Sequence, residues 1–82
     1  MQPIDWDNIR HFLEVVQTGS VRQAAARLGV NQTTVSRRIT ALEARLGQKL
    51  FDRSANNWLI TPLGERLYAS AEHMAEEALA IE

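Results

Sequence analysis

The stretch VRQAAARLGVNQTTVSRRIT, residues 21–40, decides how this chain is read. It carries two short helical patterns separated by a turn. Two helices that cross steeply over three or four residues need small or apolar side chains at fixed places. Ala25 falls where the helices approach closest, and a larger side chain there would push them apart. Gly29 lies in the turn, where a left-handed backbone is expected that only glycine adopts cheaply. Leu28, Val30, Val35 and Ile39 are expected to form the small shared core. Residue types and intervals together spell a helix-turn-helix.

The second helix of the pair has two faces. Val35, Ile39, Leu42 and Leu46 follow one another at +4, +3 and +4 and form one apolar stripe. At about 100° per residue, Thr33, Ser36, Arg37 and Thr40 fall on the opposite side, and Gln32 lies in the first turn. This outer face carries an amide, hydroxyls and a guanidinium but no carboxylate. Glutamine can bind adenine bidentately, arginine can bind guanine, and a threonine methyl can touch the thymine methyl. The pattern fits a helix whose N-terminal half enters the major groove.

Working outward, Trp6, Ile9, Phe12, Leu13 and Val16 recur at helical spacing, with Asp5 as the expected N-cap and Gly19 as the stop. Ser20 caps a helix over 21–28 that ends at Gly29. Asn31 caps the next, closed by Gly47. After Gly47 the period changes. Residues 49–53 and 58–60 are short apolar-rich runs around Ser54-Ala55-Asn56-Asn57, which predicts a β-hairpin. Thr61-Pro62 then reads as an N-cap followed by proline at the first helical position. From there to Glu82 only Gly64 interrupts helical residues. The expected fold is mainly α. A winged helix-turn-helix (a three-helix core plus a β-hairpin wing) over 1–61 is followed by a long linker or dimerisation helix over 62–82.

That last helix has its own apolar seam of Leu63, Leu67, Ala71, Met74, Ala78 and Ile81. Twenty-one residues make about 32 Å of helix, longer than so small a body covers. The expectation is packing against the same helix of a second copy, with helix one as the alternative partner of the first two turns. A two-fold dimer would present two recognition helices to a pseudo-palindromic site. The helix reaches Glu82 without a stop signal, so a longer chain is expected.

Composition narrows the function classes. With 82 residues, 45% apolar and 23% charged, the chain suits one globular domain. It has no cysteine, which excludes disulfides and thiolate metal sites. No run reaches the roughly 18 apolar residues a membrane span needs, and the polar N-terminus is no signal peptide; a cytoplasmic location is the default. Net charge is −1, yet residues 10–53 hold eight Arg or Lys against three Asp or Glu, between acidic ends. A basic middle of this kind is the footprint of a local phosphate-binding surface.

The segment GSVRQAAARLGVNQTTVSRRITALEARLGQKLFDR, followed by LITPLGERL, resembles the N-terminal domain of LysR-type transcriptional regulators over residues 6–70. The resemblance implies dimers or tetramers that bind double-stranded promoter DNA, with a small-molecule effector received by a separate C-terminal domain. Carried over position by position, Gln32, Thr33, Ser36 and Arg37 would face bases. Ser20, Arg22, Thr34 and Arg38 would lie near phosphates, and Arg53 in the wing would reach the adjacent minor groove. The chain departs from the family habit in three places. Val21 replaces an aromatic, Thr33 stands where proline is common, and the wing tip lacks the usual arginine or glycine.

Other readings compete for the same residues. Arg22 and Arg38 have Glu43 as an alternative partner, and Arg53 beside Asp52 has a structural one. Trp6 reads as core and Trp58 as partly exposed. His11 and His73 lie far apart with no acidic partner at a recognisable spacing. No nucleophile–base pair, metal cluster or glycine-rich phosphate loop supports an enzyme, and no cofactor is implied. A winged helix that binds protein instead of DNA would show an acidic or apolar outer face on its recognition helix, and this one does not.

Overall fold

Three side-chain caps set where the helices begin. Asp5 Oδ1 accepts the Asp7 N–H at 2.9 Å, Ser20 Oγ accepts the Gln23 N–H at 3.0 Å, and Asn31 Oδ1 accepts the Thr34 N–H at 2.8 Å. Each satisfies an amide that the first helical turn leaves without a partner. The computed structural model describes residues 5–54 and 58–81, with side chains through residue 77 in the last helix. Its elements are α1 (Trp6–Thr18), α2 (Val21–Leu28), α3 (Gln32–Leu46), β1 (Phe51–Asp52), β2 (Leu59–Ile60) and α4 (Pro62–Ile81). Gly29 has φ +71°, the left-handed turn its place requires, and Val30 donates its N–H back to the Ala25 carbonyl at 3.1 Å.

The core lies where α1, α2 and α3 meet, around Phe12, Val15, Ala24, Val35, Ile39 and Leu42. Leu50 and Phe51 close it from the wing side. Ala24 and Ala25 are both buried, so α2 lies close against its neighbours. Two residues expected in the core are not there. Trp6, the first residue of α1, is 40% exposed, and Val30, in the turn between α2 and α3, is 37% exposed. Val15 is buried instead and Val16 only packs against the core, which rotates the buried face of α1 from the expected stripe.

The wing is a two-stranded antiparallel sheet in which Phe51 pairs with Ile60 and Asp52 with Leu59. Its strands are shorter than the apolar runs that predicted them. The expected tip residues Ala55, Asn56 and Asn57 lie outside the described residues. Thr61 joins wing to α4. Its N–H donates to the Leu50 carbonyl at 2.9 Å, its hydroxyl donates to the Lys49 carbonyl at 2.8 Å, and its Oγ accepts the Gly64 N–H at 3.1 Å.

Gly64 brings α4 against this junction. A Cβ there would stand 2.5 Å from the Leu50 carbonyl oxygen and 2.7 Å from Ile60 Cγ1. The oxygen is backbone and already accepts from Thr61, so it cannot retreat alone. Alanine gains about 1 kcal/mol of helix propensity over glycine, but the overlap outweighs it. Gly64→Ala is expected to lower stability by about 1 to 3 kcal/mol in urea denaturation; equal or higher stability would show that the junction yields.

The apolar seam of α4 is divided. Leu63 and Leu67 pack partly buried against the core, and Ala71 is fully buried. Ala71 is therefore corrected from the expected intermolecular seam: the chain's own body covers it, a turn further than helix one was expected to reach. Met74 is 43% exposed. The side chains of Ala78 and Ile81 lie outside the described residues.

Candidate nucleic-acid interface

The N-terminal half of α3 stands on this body with its outer face uncovered. Val35 and Ile39 are completely buried and fix the rotation of the helix, so Gln32, Thr33 and Arg37 are exposed and Ser36 is half-buried. None of these four side chains has a hydrogen bond or ion pair among the described residues. Thr34 is different. Its hydroxyl donates to Asn31 Oδ1 at 3.0 Å, so it completes the cap and is not free to reach outward. Ser20 likewise spends its hydroxyl oxygen on the α2 cap, half-buried, with exposed Arg22 two residues on.

The basic surplus of residues 10–53 is largely answered within the chain. Arg10 pairs with Asp7 at 3.6 Å, Arg27 with Glu14 at 3.2 Å, and Arg53 with Glu43 at 3.1 Å. Arg38 pairs with Asp5 at 3.6 Å and donates to Asn8 Oδ1 at 3.3 Å. Arg22 and Arg37 have no such partner among the described residues. Two exposed guanidiniums therefore stand on one helix-turn-helix with their donors unspent, the state in which an arginine binds phosphate or a base edge at least desolvation cost.

Arg53 departs from its expected role. Its guanidinium lies 3.9 Å from the Trp58 ring centroid, donates to Glu43 Oε1 and approaches Thr40 Oγ1 at 3.5 Å. It is folded against α3 and does not project from the wing. The alternative that read it as structural had the wrong partner, since Asp52 instead accepts the Ser54 N–H at 2.9 Å. That backbone bond, with a second one to the Ser54 hydroxyl, holds the Asp52 carboxyl below the usual range. Its help to the turn is present above the ordinary carboxylate pKa and lost as pH falls through the lowered one.

Glu43 is the residue the sequence did not reveal. It is 4% exposed, and Oε2 accepts the N–H groups of Leu50 and Phe51 at 2.8 and 3.3 Å. Neither Arg22 nor Arg38 is its partner. The only sequence signal was its place at the edge of the apolar stripe, directly after Leu42. Elsewhere, buried His11 donates Nδ1–H to the Asp7 carbonyl at 2.6 Å, a helix-internal role. Among the described residues no three His, Cys, Asp or Glu side chains gather as a metal would require, and no helix is long and apolar enough to cross a membrane.

Residues 6–65 match the family model described as bacterial regulatory helix-turn-helix protein, lysR family. The chain belongs to that family. The LysR-family chain is 38% identical over 73 residues to the HTH-type transcriptional regulator TfdS of Cupriavidus pinatubonensis, covering 89% of the chain and 25% of TfdS. It thus spans about a quarter of the length of the curated relatives it matches. Among solved structures it is similar to the BenM DBD–catB site 1 DNA complex, with TM-score 0.89, 30% identity and coverage of 94% and 86% of the two chains. The CbnR DBD–DNA complex is also similar, with TM-score 0.84, 32% identity and coverage of 90% and 85%. The fold is a winged helix-turn-helix, and the family is one of transcription regulators.

Proposed function

We propose that this LysR-family domain binds double-stranded promoter DNA sequence-specifically, as the DNA-contacting part of a bacterial transcription regulator acting in the cytoplasm. The single observation that carries the reading is the outer face of α3. Gln32, Thr33, Ser36 and Arg37 are uncommitted, free of carboxylate, and held outward by the buried stripe beneath them. Gln32 and Arg37 have the donor and acceptor geometry for adenine and guanine edges in the major groove. Arg22 and the α2 start at Ser20 lie beside a phosphate strand, where positive charge contributes affinity without base preference. Two similar structures were solved as complexes with DNA, which supports DNA as the partner.

Two copies bind a pseudo-palindromic site as a homodimer, joined along the part of α4 that begins at Met74, and full-length protein assembles as a dimer or tetramer. A small-molecule effector acts on the remainder of a longer protein, not on this domain. Arg37→Ala is expected to weaken binding to a selected duplex by about 1 to 3 kcal/mol and to relax base preference at one position per half-site. Arg22→Ala should instead weaken all duplexes alike. Fluorescence polarisation on selected and scrambled duplexes reads both, and unchanged affinity and selectivity in Arg37→Ala would remove α3 from the groove.

A further inference from the structure

The start of α1 reaches a cation on the recognition helix. Arg38 follows Arg37 on α3, yet its guanidinium is turned toward α1, where Nη1 lies 3.6 Å from Asp5 Oδ2 and 3.3 Å from Asn8 Oδ1. Both side chains of the pair are exposed, Arg38 at 40% and Asp5 at 56%, so they hold one another in water and not in a sealed pocket. Asp5 uses its other oxygen, Oδ1, for the α1 cap, which fixes the carboxylate in this position. We propose that Asp5, with Asn8, restrains Arg38 from the phosphate backbone and thereby attenuates the DNA affinity of the domain. The proposal rests on the DNA-binding reading above and adds a residue outside the groove-facing set.

The physical case is an exchange of partners. A phosphate that takes Arg38 must displace the Asp5 carboxylate, which is left beside another anion. While Arg38 stays with Asp5 it neutralises no phosphate and releases no DNA counterion, whereas an arginine without that partner would. Replacing Asp5 by Asn keeps the cap acceptor and removes only the charge, and Asp5→Ser is a second cap-competent replacement. Either variant should bind a selected duplex roughly two- to fivefold more tightly at low salt, the span available to an exposed ion pair. The slope of log affinity against log salt should steepen by about 0.9. The gain should vanish when Arg38→Ala is present in the same chain.

The test is polarisation of the 82-residue chain on a duplex selected from random-sequence DNA by the wild-type domain. Thermal melts first establish that the variants fold. Unchanged or weaker binding by both cap-competent variants, or an equal gain in the Arg38→Ala background, would overturn the attenuation. Loss of selectivity in Arg37→Ala, measured alongside, shows whether the underlying DNA reading stands when the attenuation fails. A wild-type chain that selects no duplex overturns both.

Discussion

Glu43→Ala is expected to cost the domain about 3 to 5 kcal/mol of stability, the toll of removing one partner from a buried polar cluster. For a domain of this size that is a fall in melting temperature of roughly 15 to 30 °C. The carboxylate is 4% exposed and serves two different kinds of donor. Through Oε2 it accepts the N–H groups of Leu50 and Phe51, and through Oε1 it faces Arg53 at 3.1 Å and Lys49 at 4.0 Å. Lys49 is 73% exposed and contributes little. Arg53 is a third exposed, so water partly compensates it when the carboxylate goes. The two buried amides have no such relief, and an unsatisfied buried donor costs about 1 to 3 kcal/mol. They make up the larger part of the loss.

Glu43→Gln separates the two contributions. The amide oxygen still accepts from Leu50 and Phe51, but its NH2 group now faces the Arg53 donors, so a loss of about 1 to 3 kcal/mol, smaller than that of alanine, is expected. Urea denaturation followed by circular dichroism measures both variants. A Glu43→Ala loss below about 1 kcal/mol would mean that the wing amides find other acceptors, and the cluster would lose its place in the energetics.

Why this residue escaped the sequence, when the helices did not, has a physical answer. Helix ends are written locally. Asp5, Ser20 and Asn31 each cap an amide two or three residues ahead, and Gly19, Gly29 and Gly47 each sit just beyond a helix with positive φ. Such signals need no knowledge of the tertiary fold. The outward face of α3 was legible for the same reason, since a stripe as regular as Val35, Ile39 and Leu42 fixes what lies opposite. Glu43 has no local signature, because its partners are the amides of a strand that arrives seven and eight residues later. Arg53 was misread through the same gap, being judged without the Glu43 and Trp58 that hold it. Trp6 failed otherwise: helical period places a side chain on a face but cannot tell how far along the helix the body extends, while Val30 lies in the turn between α2 and α3, where no helical period applies. Ala71 is the reverse case, a seam position that the body does reach.

Phe12→Ala is expected to remove about 3 to 5 kcal/mol, as deletion of a buried phenyl ring does when the space cannot collapse. Phe12 is fully buried on α1, and its ring centroid lies 5.6 Å from that of Phe51 at a tilt of 54°. Phe51 in turn lies 5.3 Å from Trp58 at 56°, and Trp58 carries the Arg53 guanidinium on its face. Tilted aromatic pairs add about 0.5 to 1.5 kcal/mol beyond their buried area, so the deletion weakens the attachment of the wing as well as the three-helix core. The residue's surroundings are rigid helices on one side and the short Phe51–Asp52 strand on the other, which leaves little freedom to close the void. Native domains hold roughly 0.05 to 0.15 kcal/mol per residue, so a loss of this size brings the chain to the edge of folding. Phe12→Leu refills most of the volume without the ring and should cost less than about 1.5 kcal/mol. Urea midpoints order the three proteins, and the near-ultraviolet circular dichroism of the aromatic cluster should fade in Phe12→Ala before helical content does. A Phe12→Ala midpoint indistinguishable from that of Phe12→Leu would show that Phe51 and Trp58 repack over the gap, and that the ring of Phe12 is not needed to seat the wing.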